Sequence, residues 1–194
     1  MTASTLLLPN VELRPSTRAR DAALIISASL FLALAAQARF GLPFSPVPIT
    51  GQTLAVALIG ILLGSRRGAA AVALYLAQGA LGAPVFAGLT GGPLAFIGPT
   101  GGYLVAMPFA AWLAGSLAEI GWDRTPLGAF ATAMLASICV LIPGAAWLSL
   151  LLHGAARAAT VGLLPFVPGE LGKAVLICAA LPTVWRVKRL MGGR

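Results

Sequence analysis

GAPVFAGLTGGPLAFIGPTGGY, residues 82–103, is the stretch on which the reading of this chain turns. It holds seven glycines, three prolines and no charged residue, and it lies between two apolar segments. Gly opens positive-φ conformations and Pro removes a backbone donor, so no regular helix is expected to run through it. A structureless loop of this length is uncommon in compact proteins and is often functional. Its side chains Phe86, Leu89, Leu94, Phe96 and Ile97 are too apolar for a solvated linker. Two readings fit: a loop folded back into the protein so that bare backbone approaches a ligand, or a hydrophobic turn that only packs.

The composition around that loop settles the class. Of 194 residues, 59% are hydrophobic and only 9% charged, against roughly 25% charged in soluble domains. Mean hydropathy is +0.94. A soluble core cannot hide this much apolar surface, so the sequence reads as an all-α integral membrane protein. The length suits one domain of six short helices with no separate soluble module. The net charge is +8, yet the bases lie in the gaps between apolar segments and form no nucleic-acid patch. Cys139 and Cys178 fall inside apolar segments and read as small buried hydrophobes, without a disulfide framework.

Upstream of the loop, residues 1–21 form a polar segment, followed by an apolar run from Ala22 to Ala38. Ala36-Gln37-Ala38 resembles a signal-peptidase site, but the apolar run exceeds the usual length and the charged lead is long, so 22–40 reads as helix 1. A Pro-rich link, Leu42 to Thr50, leads into helix 2 at 51–63, with Thr50 as its candidate cap. Arg66 and Arg67 make a turn, and helix 3 occupies 68–81. Helices 2 and 3 span about 20 Å each, short of the ~30 Å hydrocarbon core, so the Pro- and Gly-rich loops are expected to fill the remaining depth. Downstream, helix 4 runs 101–119 behind Thr100 as a cap, and helix 5 runs 127–151 with a kink expected at Pro143-Gly144. A link carrying His153 and Arg157 then leads to helix 6, 168–185. The domain reading is thus 1–21 polar segment, 22–187 six-helix membrane domain and 188–194 basic tail.

The positive-inside rule orients the helices. The N-terminus, the 2–3 turn, the 4–5 link and the C-terminus hold ten Lys or Arg, and the opposite side holds only Arg39 and Arg157. Both termini are therefore expected on the cytoplasmic side, with six transmembrane helices and Pro/Gly-rich outer loops. In that topology helices 2, 4 and 6 all begin on the outer side, from PVPITG, GPTGG and PFVPGE. Helix N-termini carry unsatisfied N–H groups and roughly half a positive charge, so three of them facing one vestibule favour an anionic ligand.

Glu170 and Lys173, three apart on helix 6, share a face. Ionisable residues within membrane spans mark ligand or ion pathways by default; the bland alternative is an interfacial ion pair. Trp122, Trp147 and Trp185 read as interface anchors. The small-xxx-small spacings Ala19/Ala23 and Ala106/Ala110/Ala114 permit close helix packing. Gly172-Lys173 lacks the rest of a phosphate-binding loop, and no HExxH, GxSxG or His/carboxylate cluster occurs within the spans. The chain is therefore not read as an enzyme, and nothing in it calls for a cofactor or a metal.

Three stretches, FSPVPITGQTLAV (44–56), APVFAG…GGP…GPTGGYL (83–104) and PFVPGELGK (165–173), together resemble the BioY-type biotin transporters, the substrate-binding components of energy-coupling factor transporters. The resemblance covers most of the chain from helix 1 onward. It implies high-affinity biotin capture from outside, beneath the outer loops, in a multi-pass protein of the bacterial inner membrane. It also implies partners: a transmembrane coupling protein and two ATP-binding-cassette ATPases. The family's last motif usually reads PGD-x-x-K, its acid and lysine in contact with the ligand; Glu170 keeps the carboxylate on a side chain one methylene longer. The family's coupling signature, two alanines four apart on helix 1, is best matched by Ala19/Ala23. On this reading Phe44, Phe86 and Tyr103 wall the biotin ring, Gln52, Glu170 and Lys173 supply polar contacts, and Thr50, Thr100 and Gly101 complete the site at the helix N-termini. The competing reading is a channel or self-sufficient secondary transporter for another small organic anion.

Overall fold

The computed structural model describes residues 17–192, with side chains described over 18–181. Seven α-helices and one short ribbon follow in order. Helix α1 is Thr17–Gln37, and two-residue strands β1 (Arg39–Phe40) and β2 (Ile49–Thr50) pair antiparallel beside its end. Then come α2 (Gln52–Leu63), α3 (Ser65–Ala80), α4 (Gly101–Glu119), α5 (Pro126–Leu151), α6 (Ala155–Gly162) and α7 (Val167–Gly192). Four stretches, Arg18–Gln37, Gly101–Glu119, Pro126–Leu151 and Ala155–Leu181, are long and apolar enough to cross a membrane, while Gln52–Leu63 is apolar but shorter.

Helix α4 is the hub, packed against α2, α3 and α5, with α1 against α3 and α7 against α5. The contacts are close because the facing residues are small. A Cβ added at Gly60 of α2 would lie 2.3 Å from the Ala111 carbonyl oxygen of α4. Another at Gly115 of α4 would lie 2.3 Å from the Ser65 nitrogen of α3. Ala106, Ala110 and Ala114 are all buried along α4, whereas Ala19 and Ala23 are exposed on α1. Among apolar helices, dispersion contacts of this kind and interhelical hydrogen bonds supply the association energy that water supplies in soluble proteins. One such bond runs from the Ser29 hydroxyl of α1 to Gln78 Oε1 of α3, at 2.7 Å.

Several local expectations change. Helix α1 already includes Thr17, the first described residue, and stops at Gln37, because Arg39-Phe40 is drawn into the ribbon. The α2–α3 turn is made by Gly64, at φ +82°, and Arg66-Arg67 already lie in the first turn of α3. The turn is fixed by Glu119 at the end of α4, whose Oε1 accepts from the Ser65 amide at 2.7 Å and from its hydroxyl at 2.9 Å. The link after α5 contains an additional helix, α6. Helix α7 runs on past Trp185 to Gly192, since no Gly or Pro interrupts the sequence between them. Cys139 and Cys178 are half-buried, and the Cys178 thiol donates to the Pro126 carbonyl at 3.3 Å. The first sixteen residues, and the side chains of Trp185 and the 188–194 tail, lie outside the described residues.

The stretch 82–100 folds back onto the bundle. Phe86 is 3% exposed, and its ring meets Tyr75 and Phe96 edge-on at centroid separations of 5.5 and 5.7 Å. A bridge pairs Phe86 with Thr90, and a 3-10 turn at Pro93–Phe96 brings the chain into α4.

Candidate substrate-binding site

A cavity of about 240 Å³ opens beneath that loop. Its wall includes Gln52 and Thr53 from the first turn of α2, Thr100 and Tyr103 from the start of α4, and Glu170 and Lys173 from the first two turns of α7. The N-termini of three helices that are far apart in sequence thus meet at one chamber. The rest of the wall includes Phe86 of the loop, Arg39 and Thr50 of the ribbon, Phe166, Met107 and Val140. The wall is mostly apolar, with a few placed polar groups, the usual make-up of a small-molecule site.

The polar end centres on Glu170, which is 2% exposed. Its Oε1 accepts from the Lys173 ammonium at 2.6 Å and from the Thr53 hydroxyl at 2.8 Å; its Oε2 accepts from the Ser137 hydroxyl at 2.6 Å. Lys173, 15% exposed, also donates to the Thr53 hydroxyl oxygen at 2.7 Å. A buried carboxylate is tolerable only when its charge is paired and its lone pairs are used. Both conditions hold here. The pair lines the cavity.

The aromatic walls depend on glycine slots. A Cβ at Gly144 of α5 would lie 2.1 Å from the Tyr103 ring, and one at Gly79 of α3 would lie 2.0 Å from the Phe86 ring. Tyr103 packs against α5 at this slot, donates to the Gly162 carbonyl at 2.7 Å and stacks on Phe166 at 6.3 Å. The Gln52 amide donates to the Tyr75 hydroxyl at 2.8 Å, and its Oε1 accepts from the Thr50 hydroxyl at 2.9 Å.

Of the site residues expected from sequence, Lys173, Glu170, Tyr103, Thr100, Phe86, Gln52 and Thr50 line this cavity. Gly101 and Phe44 do not. Gly101 is buried where the Phe96 carbonyl passes so close that a Cβ would lie 1.9 Å from its oxygen, so its smallness serves chain packing. Phe44 is 61% exposed, because Ser45 turns inward in its place, donating to the Val161 carbonyl at 2.7 Å. Thr50 serves α2 as expected, its hydroxyl accepting from the Gln52 amide at 3.3 Å, whereas Thr100 does not cap α4. Gly51 between Thr50 and α2 already has helical dihedrals, and the Thr100 hydroxyl makes no cap bond to α4. Ala19 and Ala23 lie on α1, outside the cavity lining.

Residues not singled out from sequence also reach the cavity or its loop. Thr53 and Ser137 complete the Glu170 network; Ser137 is one of three hydroxyls in the apolar run of helix 5, with Thr132 and Ser149, so nothing in the sequence set it apart. Gln37 at the end of α1 binds the loop on three sides. Its amide nitrogen donates to the carbonyls of Val85 and Phe86 at 3.4 and 3.1 Å, and its oxygen accepts from the Leu89 amide at 3.0 Å. Trp147 ties the far end of the loop to α5 through the Gly98 carbonyl at 2.9 Å. Arg39, counted from sequence only as an outer base, also lines the cavity.

The profile of the BioY family matches residues 8–189 of the chain. The biotin transporter BioY of Thermotoga maritima is 39% identical over 167 residues, covering 86% of this chain and 96% of that protein. The probable biotin transporter BioY of Pyrococcus horikoshii is 34% identical, covering 81% of this chain and 91% of that one. Among solved structures, the S-component for biotin from an ECF-type ABC transporter superposes with a TM-score of 0.79 at 27% identity, covering 87% of this chain and 92% of that chain. The fold, the length of the match and the three motifs that frame the cavity agree: this chain belongs to the BioY family.

Proposed function

We propose that this chain captures biotin for uptake as the substrate-binding component of an energy-coupling factor transporter, with no catalysis of its own. One observation carries the reading. In a chain with this family's sequence, three helix N-termini and a satisfied Glu170–Lys173 pair close one mostly apolar cavity under a folded-back loop. Biotin has an apolar bicyclic sulfur ring, a ureido edge with donors and acceptors, and a carboxylate tail. Phe86, Tyr103, Phe166 and Met107 offer it apolar surface, and Gln52, Thr50, Thr100, Glu170 and Lys173 offer hydrogen bonds.

The finer assignment is part of the same proposal. The polypeptide crosses the membrane six times with both termini cytoplasmic: α2 and α3 count as spans despite their shortness, the 82–100 loop covering the depth they leave. Residues 1–21 precede the 22–187 membrane domain, and 188–194 form a cytoplasmic tail. The membrane is the bacterial cell (inner) membrane, and the partners are a transmembrane coupling protein and two ATP-binding-cassette ATPases. Ala19 and Ala23, both exposed on α1, present a small-residue surface for the coupling protein.

Equilibrium binding of radiolabelled biotin to the detergent-purified chain, with other vitamins as competitors, tests the proposal. Tight, biotin-selective binding without partners is expected. Rapid flux of another small organic anion with no tight biotin binding would replace this reading with a self-sufficient transporter.

A further inference from the structure

We infer that Arg39 is the carboxylate-recognising residue of the site and makes the protein select the free acid over neutral derivatives of the same ligand; the inference rests on the biotin reading above. The cavity wall holds two cations. Lys173 is already neutralised by Glu170 at 2.6 Å and further engaged by Thr53. Arg39 has no hydrogen bond and no acidic partner among the described residues. An anionic ligand entering the chamber thus meets one uncompensated positive charge, and it is Arg39.

The ribbon sets its direction. Arg39 pairs with Thr50 across β1 and β2, and directly paired residues project to the same face. Both line the cavity, Arg39 at its exposed rim, and Phe40 on the alternate face does not. Gly88, at φ +79°, leaves the space the guanidinium occupies: a Cβ there would lie 2.5 Å from Arg39 Nη1. The guanidinium is thereby laid against the loop at the exposed side of the chamber, while Glu170 is buried. A ligand with its polar ring edge at Glu170 and Lys173 places its acid tail toward Arg39. A planar guanidinium fork can hold that carboxylate through two parallel N–H···O bonds.

The test compares biotin with biotin methyl ester and biotinamide, which keep the rings and lose the charge. Binding of each to the full-length chain is measured for wild type, Arg39→Gln and Arg39→Lys. Wild type should prefer biotin over both neutral compounds by about tenfold or more, the range expected for hydrogen bonds to a charged group at a partly solvated site. Arg39→Gln should weaken biotin by a similar factor and leave the neutral compounds unchanged, erasing the preference. Arg39→Lys should fall between, and added salt should reduce the preference in wild type and Arg39→Lys but not in Arg39→Gln. Retained ester binding shows that each variant is folded. If Arg39→Gln weakens acid and ester alike, or changes neither, Arg39 is a structural or lipid-facing cation and the inference fails, while the biotin reading stands on wild-type binding. If wild type binds no biotin, the biotin reading fails and this inference with it.

Discussion

Glu170 holds three short hydrogen bonds in a nearly water-free position, and each comes from a different helix or turn. Removing one member of such a pair strands the other's charge, which costs about 2–5 kcal/mol. Lys173→Ala is therefore expected to weaken biotin binding by roughly 30- to several-thousand-fold, and Glu170→Ala should be comparably severe. Ser137→Ala removes a 2.6 Å bond to the same carboxylate but leaves the ion pair intact. Its loss, about 1.5–3 kcal/mol for a bond to a charged group, should weaken binding by roughly ten- to a hundredfold. Equilibrium binding to detergent-purified variants, each checked for folding, measures all three. Near-wild-type affinity for Lys173→Ala would remove the pair from the site. The acid and the lysine are readable from sequence because i and i+3 on a helix are neighbours. Thr53 and Ser137 are not, because their distance from Glu170 along the chain carries no periodic signal.

At the scale of elements, the 82–100 loop is held by its neighbours more than by itself. Gln37 of α1 spans it with an amide donor and acceptor, and Phe86 is pinned in the slot left by Gly79. At about 0.5–1.5 kcal/mol per hydrogen bond, Gln37→Leu should free the loop by roughly 1–3 kcal/mol. Hydrogen exchange at the Leu89 amide should then speed up by roughly five- to a hundredfold, and biotin should dissociate faster. Unchanged exchange at Leu89 would show that the packing of Phe86 alone fixes the loop. Gly79→Ala should displace the Phe86 ring from the cavity wall, because a Cβ would lie 2.0 Å from it. Overpacking of this kind typically costs about 1–3 kcal/mol, and the loss should appear in both thermal stability and affinity. The folding-back of the loop was legible in its apolar, Gly/Pro-rich composition. Its anchor was not, since Gln37 at the end of helix 1 looks like any polar residue closing a span.

For the whole molecule, the distribution of bases predicts both termini on the cytoplasmic side. Reporter fusions after Gly192 and within 121–126 should report cytoplasm, and one within 153–163 the outside. A periplasmic C-terminus would invert the vestibule and with it the direction of capture. Energy is the second molecular question. The chain has no phosphate-binding loop, so robust uptake should need an ATP-hydrolysing partner. Ala19→Leu or Ala23→Leu should weaken co-purification with the coupling protein while leaving biotin binding unchanged. Full-rate uptake by the chain alone in ATP-free proteoliposomes would contradict this.

By itself the sequence determined the membrane class, the approximate places of α1 to α5 and α7, though not their exact ends or the existence of α6, and the acid–lysine motif at the start of α7. Those are local quantities: hydropathy, chain-breaking Gly and Pro, and residues one turn apart. Only the tertiary structure decided which faces meet. Helices α4 and α5 are apolar nearly all round, so polarity does not tell their lipid side from their core side, and their rotation is set by small-residue contacts with distant helices. That rotation placed Ser137 against Glu170. In the same way, tertiary packing turned Ser45 inward and left Phe44 outside, and the pairing of β1 with β2 set Arg39 on the wall of the cavity.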